Sequence, residues 1–368
     1  MSESLLFISA GDPSGDNATS RLVDELKKNH PSLAYFGLGG PRLLAHGQEQ
    51  LASHHDLAVL GFWEVLKRAS YFRNLLKNCE KVIETRRPNC ILLVDYPGFN
   101  LRLAKRVKRL GIPIVYYISP QIWAWGKRRI GLIKRLVDQM IVILPFEEQF
   151  YQNAGVPVEF VGHYLLEDIP AGYISSAAPK QGKIALLPGS RPQEIDRMLK
   201  PMLDAAANIN RRHGTTAVVA AVNIGYDYES IAAPYASSGI SVSYESSRKL
   251  LYESDLALTA SGTATLETGI IGRPMVIVYK TGFITYLIAR TLVTIDKIGL
   301  VNLVLGEKVV PELIQNEVSP QRMASELTRY LDDRSYADKI KCRLDELPGI
   351  LGGPGASARA AQLIGRYL

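Results

Sequence analysis

Cysteine is scarce in this chain, and the three present, Cys79, Cys90 and Cys342, are odd in number and show no paired or metal-ligand spacing. That excludes a disulfide-built secreted scaffold and fits a reducing cytosol. The six histidines are scattered without a zinc motif, so no metal site is expected. Met1–Ser4 leads straight into the apolar run Leu5–Ala10, with neither a basic region nor a cleavage site, and no signal peptide is expected. No uninterrupted apolar stretch reaches ~18 residues, so a spanning helix is not expected. The nearest, Phe283–Val304, is broken by Arg290, Asp296 and Lys297. The spaced G-x-G-x-x-G fingerprint and the P-loop are absent too, which weighs against dinucleotide and ATP binding. Internal repeats and low-complexity segments are missing as well.

What is present is a globular composition. A chain of 368 residues, 47% hydrophobic and 21% charged, buries a sizeable core and divides into two domains, since single cores stop growing near ~250–300 residues. Short β-rich runs alternate with segments of helical spacing along most of its length. The runs are Leu5–Ala10, Tyr35–Leu38, Ile91–Val94, Ile114–Ile118 and Met140–Leu144, then Ile184–Leu187, Ala217–Val222, Ile240–Tyr244, Leu256–Ala260 and Met275–Tyr279. Between them lie helical patterns such as Ser20–Lys28, Leu101–Leu110 and Ile195–Arg211. The expected class is α/β, with two Rossmann-like doubly wound domains facing each other across a cleft. Pro170–Gly182, rich in Ala, Ser, Gly and Pro, reads as the linker. The expected domains are residues 1–169 with a C-terminal tail of about 340–368, and residues 183–339.

One loop carries most information. Tyr116–Trp125, followed by Gly126-Lys127-Arg128-Arg129, puts two of the three tryptophans beside three cations just past a strand. Its Ser119, Gln121 and indole N–H groups all need partners, so Ser119, Gln121, Trp123 and Trp125 are expected to line a cleft. An aromatic-capped surface loop is the alternative. Between Tyr96 and Val137 there are ten Lys or Arg residues and no acid, a footprint for an anionic partner. Two solvated helix faces would read the same way. No nucleic-acid-binding motif accompanies it, so nucleic acid is not expected.

In doubly wound sheets ligands bind at the carboxyl ends of strands, where loops run into helix N-termini. Ala10–Asp16 is a glycine-rich turn with helix-capping residues, among them Asp12, Ser14 and Asp16. Asp95 ends a strand beside Tyr96–Asn100 and is placed to take a proton from a bound hydroxyl, Asn100 being better placed to cap the helix that starts near Leu101. In the second half, Gly189, Ser190 and Arg191 stand between a strand and a helix, with arginine at the mouth. Ser261-Gly262-Thr263 opens the helix that carries Glu267, whose carboxylate suits ribose hydroxyls. Each loop alone could be ordinary capping. Together they favour a nucleotide diphosphate.

From Phe62 to Leu76 apolar residues recur at Phe62, Val65, Leu66, Ala69, Phe72 and Leu76, flanked by Lys67, Arg68, Arg73 and Lys77. Such a stripe also suits a core-facing helix. Trp63 off the stripe, the flanking cations and the acid-free basic stretch favour a membrane-facing or acyl-binding surface.

These motifs, nearly end to end, resemble the bacterial lipid-A-disaccharide synthases, inverting glycosyltransferases of GT-B architecture. The likeness rests on Ala10–Asp16, Gly39-Gly40-Pro41-Arg42, Leu60-Gly61-Phe62 with Glu64-Val65-Leu66, Val94-Asp95-x-Pro97 and Ser119-Pro120-Gln121-x-Trp123-Ala124-Trp125. It continues through Leu144-Pro145-Phe146-Glu147, Val161-Gly162-His163, Leu187–Arg191, Ser261–Glu267, Asn302-Leu303 and Gly352–Ala356. The tryptophan loop and L-P-G-S-R in this order are specific; S-G-T alone is not.

The resemblance implies transfer of 2,3-diacylglucosamine from UDP-2,3-diacylglucosamine to 2,3-diacylglucosamine 1-phosphate, with a β-1′,6 linkage formed and UDP released. It implies an enzyme without metal or cofactor, peripheral on the anionic inner-membrane surface, with a homodimer fitting the family. The nucleotide falls in the C-terminal half, Asn302 joins its site, and Asp95 matches the general base. Departures are Gly98 where many members carry a second aspartate, Asp12 for a glutamate, and Tyr164 and Val301 where proline is common. A UDP-sugar 2-epimerase and a non-catalytic lipid-binding paralogue are the rival readings.

Overall fold

The computed structural model describes residues 4–53, 69–124, 126, 129–179, 181–282 and 297–368. Phe62, Trp63, Leu66 and Trp125 lie outside the described residues. The chain forms two compact units. One comprises Met1–Tyr164 and Gly352–Leu368, the other Leu165–Leu351. The chain thus returns to the first unit at Gly352, not near 340, and Leu165 already belongs to the second.

The first unit holds a seven-stranded sheet in the order β3-β2-β1-β4-β5-β6-β7. Its strands are β1 (Leu5–Ala10), β2 (Ala34–Gly39), β3 (Glu49–Ser53), β4 (Cys90–Val94), β5 (Ile114–Tyr117), β6 (Gln139–Val142) and β7 (Val158–Phe160). The second holds a six-stranded sheet, β10-β9-β8-β11-β12-β13. Here the strands are β8 (Lys183–Leu187), β9 (Thr216–Ala220), β10 (Ile240–Ser243), β11 (Leu256–Ala260), β12 (Met275–Tyr279) and β13 (Glu312–Ile314). All pairings are parallel, as in β1, where Phe7 lies opposite Phe36 of β2 and Ile91 of β4. Parallel strands covered on both faces need continuous apolar runs, and β4 (CILLV) and β12 (MVIVY) supply them. The two sheets share one winding, a doubly wound order whose switch point lies between β1 and β4 in one and between β8 and β11 in the other.

The central strands match the sequence reading to within two residues. The three missed strands, Glu49–Ser53, Val158–Phe160 and Glu312–Ile314, all lie at sheet edges. Helices begin earlier than their apolar spacing suggests: Pro13–Asn29, Pro97–Val107 and Pro192–His213 each open on proline. Proline costs nothing at a first turn whose N–H is unpaired anyway, and it marks the true start. In the helix Ala69–Arg86, Leu75 and Leu76 are buried in the first unit's core and Phe72 packs half-buried against it. The stripe therefore faces the core from Phe72 onward, with Phe72 itself only partly covered.

The final helix, Ala356–Gly365, packs on the helix Pro13–Asn29, and Ser4 Oγ donates to the carbonyl of Leu368 at 3.1 Å. Arg359 ties this return in place, donating to the carbonyls of Val161 (2.7 Å), Pro354 (2.9 Å) and Gly352 (3.1 Å). In the second unit, Arg273 is fully buried and donates to the carbonyls of Leu251, Tyr252, Ser176 and Ala177 and to Ser176 Oγ, all within 3.2 Å. It fastens residues Ser176-Ala177, in the middle of the expected linker, onto this unit. Arg273→Met strands those carbonyls without donors, so a loss of about 3–5 kcal/mol is expected. A drop of about 10 °C in the melting temperature measured by calorimetry checks it.

Candidate active site

At the first unit's switch point the loops after β1 and β4 stand side by side. Gly11 is needed there, because a Cβ would fall 2.4 Å from the Tyr96 ring. Asp95 and Tyr96 adopt left-handed backbone in succession, with φ of 43° and 44°. Side chains with Cβ atoms resist that region, at a cost of about 1–3 kcal/mol each unless surroundings enforce it. Here the surroundings do. The Asp95 carbonyl accepts from Asn100 Nδ2 at 2.8 Å and from the Tyr116 hydroxyl at 2.5 Å, and its N–H donates to Tyr117 at 3.0 Å. Asn100 is buried inside the helix Pro97–Val107, not at its cap. Its amide also reaches the carbonyls of Val94 and Ser9, and its Oδ1 accepts from Ser9 Oγ at 2.6 Å. Burial pushes the Asp95 carboxyl up to about 7, helped by the charge of Asp12 and opposed by the Tyr96 N–H. A carboxylate with that proton affinity is matched to general-base work near neutrality.

The other residues of the first turn divide. Asp12 caps the helix Pro13–Asn29, accepting from Gly15 N at 3.1 Å, and Ser14 is exposed in its first turn. Asp16, by contrast, is 2% exposed, and both its oxygens are engaged by the N–H groups of Gly40, Arg42 and Leu43. It holds the chain after β2 and has no face for a ligand. Gly98 lies within the helix with open space where a Cβ would stand, so no tight turn demands glycine there.

The aromatic loop departs from expectation. Its Ser119 hydroxyl and Trp123 indole N–H both donate inward to Glu147 Oε1, at 2.6 and 2.9 Å, while Leu144 N donates to Oε2. Trp123 is buried edge-on to Phe146 with ring centres 4.9 Å apart. Ser119 and Trp123 therefore do not line an open surface; Gln121 is exposed. Glu147 was visible in sequence only as the fourth residue of L-P-F-E, a capping-box spacing. Its distant donors leave no local signal. Burial pushes its carboxyl up to about 7 against those hydrogen bonds.

At the second unit's switch point, Gly189 has φ of 109°, and a Cβ would meet the Glu194 side chain at 2.8 Å. Arg191 opens the helix Pro192–His213, is 64% exposed and pairs with Glu194 at 2.9 Å. So exposed a pair is worth little and yields readily to a stronger anion. Ser190 is held at its carbonyl by Asn223 Nδ2 at 3.0 Å. Beyond β11, Ser261 Oγ donates to Ile298, while Gly262 and Thr263 are exposed at the start of the helix Thr263–Ile270. The first N–H groups of such a helix have no intrahelical acceptor and favour anions.

Glu267 takes Arg248 Nε and Nη2 at 2.9 and 2.7 Å on Oε1. Arg248, unnoticed in the sequence, thus orients it. Asn302 is fully buried and fully used, bridging Val310, Glu312 and the N–H groups of Val309 and Val310. It braces the loop with Glu312, which accepts from Ile298 and Gly299, and does not itself face a ligand.

Of the ten basic residues, Arg106 and Arg109 pair with Glu80, Arg109 also with Glu84, and Lys108 pairs with Asp138. Arg102, Lys105, Lys134 and Arg135 are exposed.

Comparison with known proteins follows this geometry. Residues 6–348 match the family model described as Lipid-A-disaccharide synthetase. Similar relatives include the lipid-A-disaccharide synthases of Anaeromyxobacter dehalogenans strain 2CP-C, 43% identical over 97% of this chain and 96% of that one, and Myxococcus xanthus, 39% identical over 98% and 96%. In structure the chain is similar to a putative UDP-N-acetylglucosamine 2-epimerase from Listeria monocytogenes, with a TM-score of 0.66 at 12% identity over 99% and 96% of the two chains. It is also similar to the calicheamicin glycosyltransferase CalG4, with a TM-score of 0.63 at 16% identity over 100% and 99%. At those identities the likeness shows the fold, a GT-B arrangement of two α/β domains, and no more. The family model and the relatives together show that this chain belongs to the lipid-A-disaccharide synthase family.

Proposed function

We propose that the chain transfers the sugar of UDP-2,3-diacylglucosamine to the 6-hydroxyl of 2,3-diacylglucosamine 1-phosphate, making a β-1′,6 linkage and releasing UDP. The carrying observation is Asp95, a strained and partly desolvated carboxylate whose proton affinity lies near neutrality. It takes the proton of the acceptor hydroxyl as that oxygen attacks the anomeric carbon. The carbon–oxygen bond to the diphosphate breaks on the opposite face, so the anomeric configuration inverts. UDP leaves with its growing charge met by Arg191 and by the helix start at Gly262-Thr263. Glu267, held by Arg248, keeps its second oxygen for the ribose. Asp12 raises the proton affinity of Asp95 by its charge.

A UDP-sugar 2-epimerase shares the fold alone, and a non-catalytic paralogue has no need of Asp95 and Arg191. No helix among the described residues is long and apolar enough to cross a membrane. We place the enzyme on the anionic inner-membrane surface through the segment around Trp63 and the exposed cations Arg102, Lys105, Lys134 and Arg135.

Asp95→Asn lowers kcat by about 10²–10⁴-fold with UDP affinity unchanged. A base must be deprotonated to act, so wild-type kcat/KM falls as pH drops through about 7, following the raised carboxyl. Full turnover in the variant, or an acid limb near 4, refutes the assignment. Arg191→Ala weakens UDP binding or kcat by roughly 1.5–3 kcal/mol, and Arg191→Lys recovers only part, having lost the planar fork. Activity persists in EDTA; a loss restored by Mg²⁺ would show that a metal holds the leaving group. Trp63→Ser lowers sedimentation with anionic vesicles while leaving UDP titration unchanged.

A further inference from the structure

Among the described residues six large hydrophobic side chains are exposed, and three of them, Val222, Ile224 and Tyr244, follow the neighbouring strands β9 and β10 at their carboxyl ends. Ile224 is the extreme, at 90% exposure; Val222 stands at 47%. Isolated surface hydrophobics need no explanation, but two β-branched residues held out on a braced loop do. The loop Ala221–Asp227 is braced on both sides of Ile224. Ala221 N donates to Ser243, Val222 N to Ala220, Asn223 N to the Tyr228 hydroxyl at 3.3 Å, and Tyr226 N to Asn223. Asn223 Oδ1 accepts from Gly225 N at 3.1 Å, and the Tyr226 hydroxyl donates to Asp196 at 2.6 Å. The remaining bond fixes the address: Asn223 Nδ2 donates to the carbonyl of Ser190 at 3.0 Å. One side chain thus pins the apolar tip to the loop that ends in Arg191.

We propose that Val222 and Ile224 form an acyl subsite, which receives a fatty acyl chain of the donor while its diphosphate rests on the adjacent Gly189–Arg191 loop. The inference rests on the function proposed above, because only a lipid-bearing nucleotide sugar presents an apolar chain beside a bound diphosphate. Charge selects this occupant over a membrane. From Ala217 to Ser247 there is no Lys or Arg, while Asp227 and Glu229 are present and Glu245 is paired with Lys249, so this segment itself offers an anionic lipid surface no cation. A neutral acyl chain needs none. The bracing matters for the same reason, since a loop already ordered loses little freedom when the chain docks.

The test compares wild type, Ile224→Ser and Ile224→Leu using UDP titration and transfer from donors with long and short acyl chains. For Ile224→Ser, the KM for the long-chain donor rises about tenfold, the loss of roughly one half-buried aliphatic contact. Its UDP affinity, its KM for the short-chain donor and its melting temperature stay at wild-type values, and Ile224→Leu restores the long-chain KM. Equal effects on both donors, no effect on either, or a change only in anionic vesicle binding would overturn the subsite. Wild-type protein that turns over neither donor would overturn the proposed function itself, an outcome distinct from an active wild type with an indifferent Ile224→Ser.

Discussion

The buried amide of Asn100 is the contact on which the first unit's chemistry depends. Four groups at the carboxyl ends of β1 and β4 converge on one side chain: the carbonyls of Ser9, Val94 and Asp95 and the hydroxyl of Ser9. Parallel strands end in carbonyls that no ladder satisfies, and burying them without donors costs several kcal/mol. Asn100 supplies those donors and thereby holds two successive residues in left-handed backbone. That conformation turns Asp95 into a partly dry niche near Asp12. Raising its proton affinity from the ordinary carboxylate range to about 7 is unfavourable to the ionised form by on the order of 4 kcal/mol, a strain that only a well-braced loop sustains.

The same device recurs elsewhere with different residues. Glu147 gathers the aromatic loop and the turn after β6, Asp16 gathers the chain after β2, and Asn302 with Glu312 gathers the loops around β13. Each is a buried side chain with several hydrogen bonds to loop atoms, and each stands behind the residues a ligand would meet. Loops at strand ends carry function but cannot be made rigid by apolar packing alone. Internal polar hubs give them a single geometry, at the cost of making each hub sensitive to the loss of one partner. Glu147 adds a pH dependence of its own. Its carboxyl is raised in the folded chain, so its stabilising contribution is complete below the ordinary carboxylate range and is lost as pH rises through about 7.

Much of this was legible from the residues. Buried parallel strands announce themselves as apolar runs, and the central strands of both sheets were read within two residues. Three of the four edge strands were not, and of these Glu49–Ser53 and Glu312–Ile314 lack a run long enough to stand out. At the site, the backbone features were foreseeable: glycines where β8 and β11 end, and a carboxylate where β4 ends. The direction of side chains was not. Asp16, Ser119, Trp123 and Asn302 have the chemistry of ligand-binding residues, yet their partners lie up to 28 residues away in sequence and turn them inward. Arg248 and Glu147 were overlooked for the converse reason, since a charged residue reads as solvated until its buried partners are known.

The helix Ala356–Gly365 buries Ala360, Ala361 and Ile364 as it packs on the helix Pro13–Asn29. On the ribosome the second unit, Leu165–Leu351, is therefore whole before the first, which waits with an uncovered apolar face for residues more than three hundred positions downstream. Biosynthesis completes the unit bearing the proposed general base only after Gly352–Leu368 has been made. A polypeptide interrupted after Leu351 would carry a finished second unit and an unfinished first.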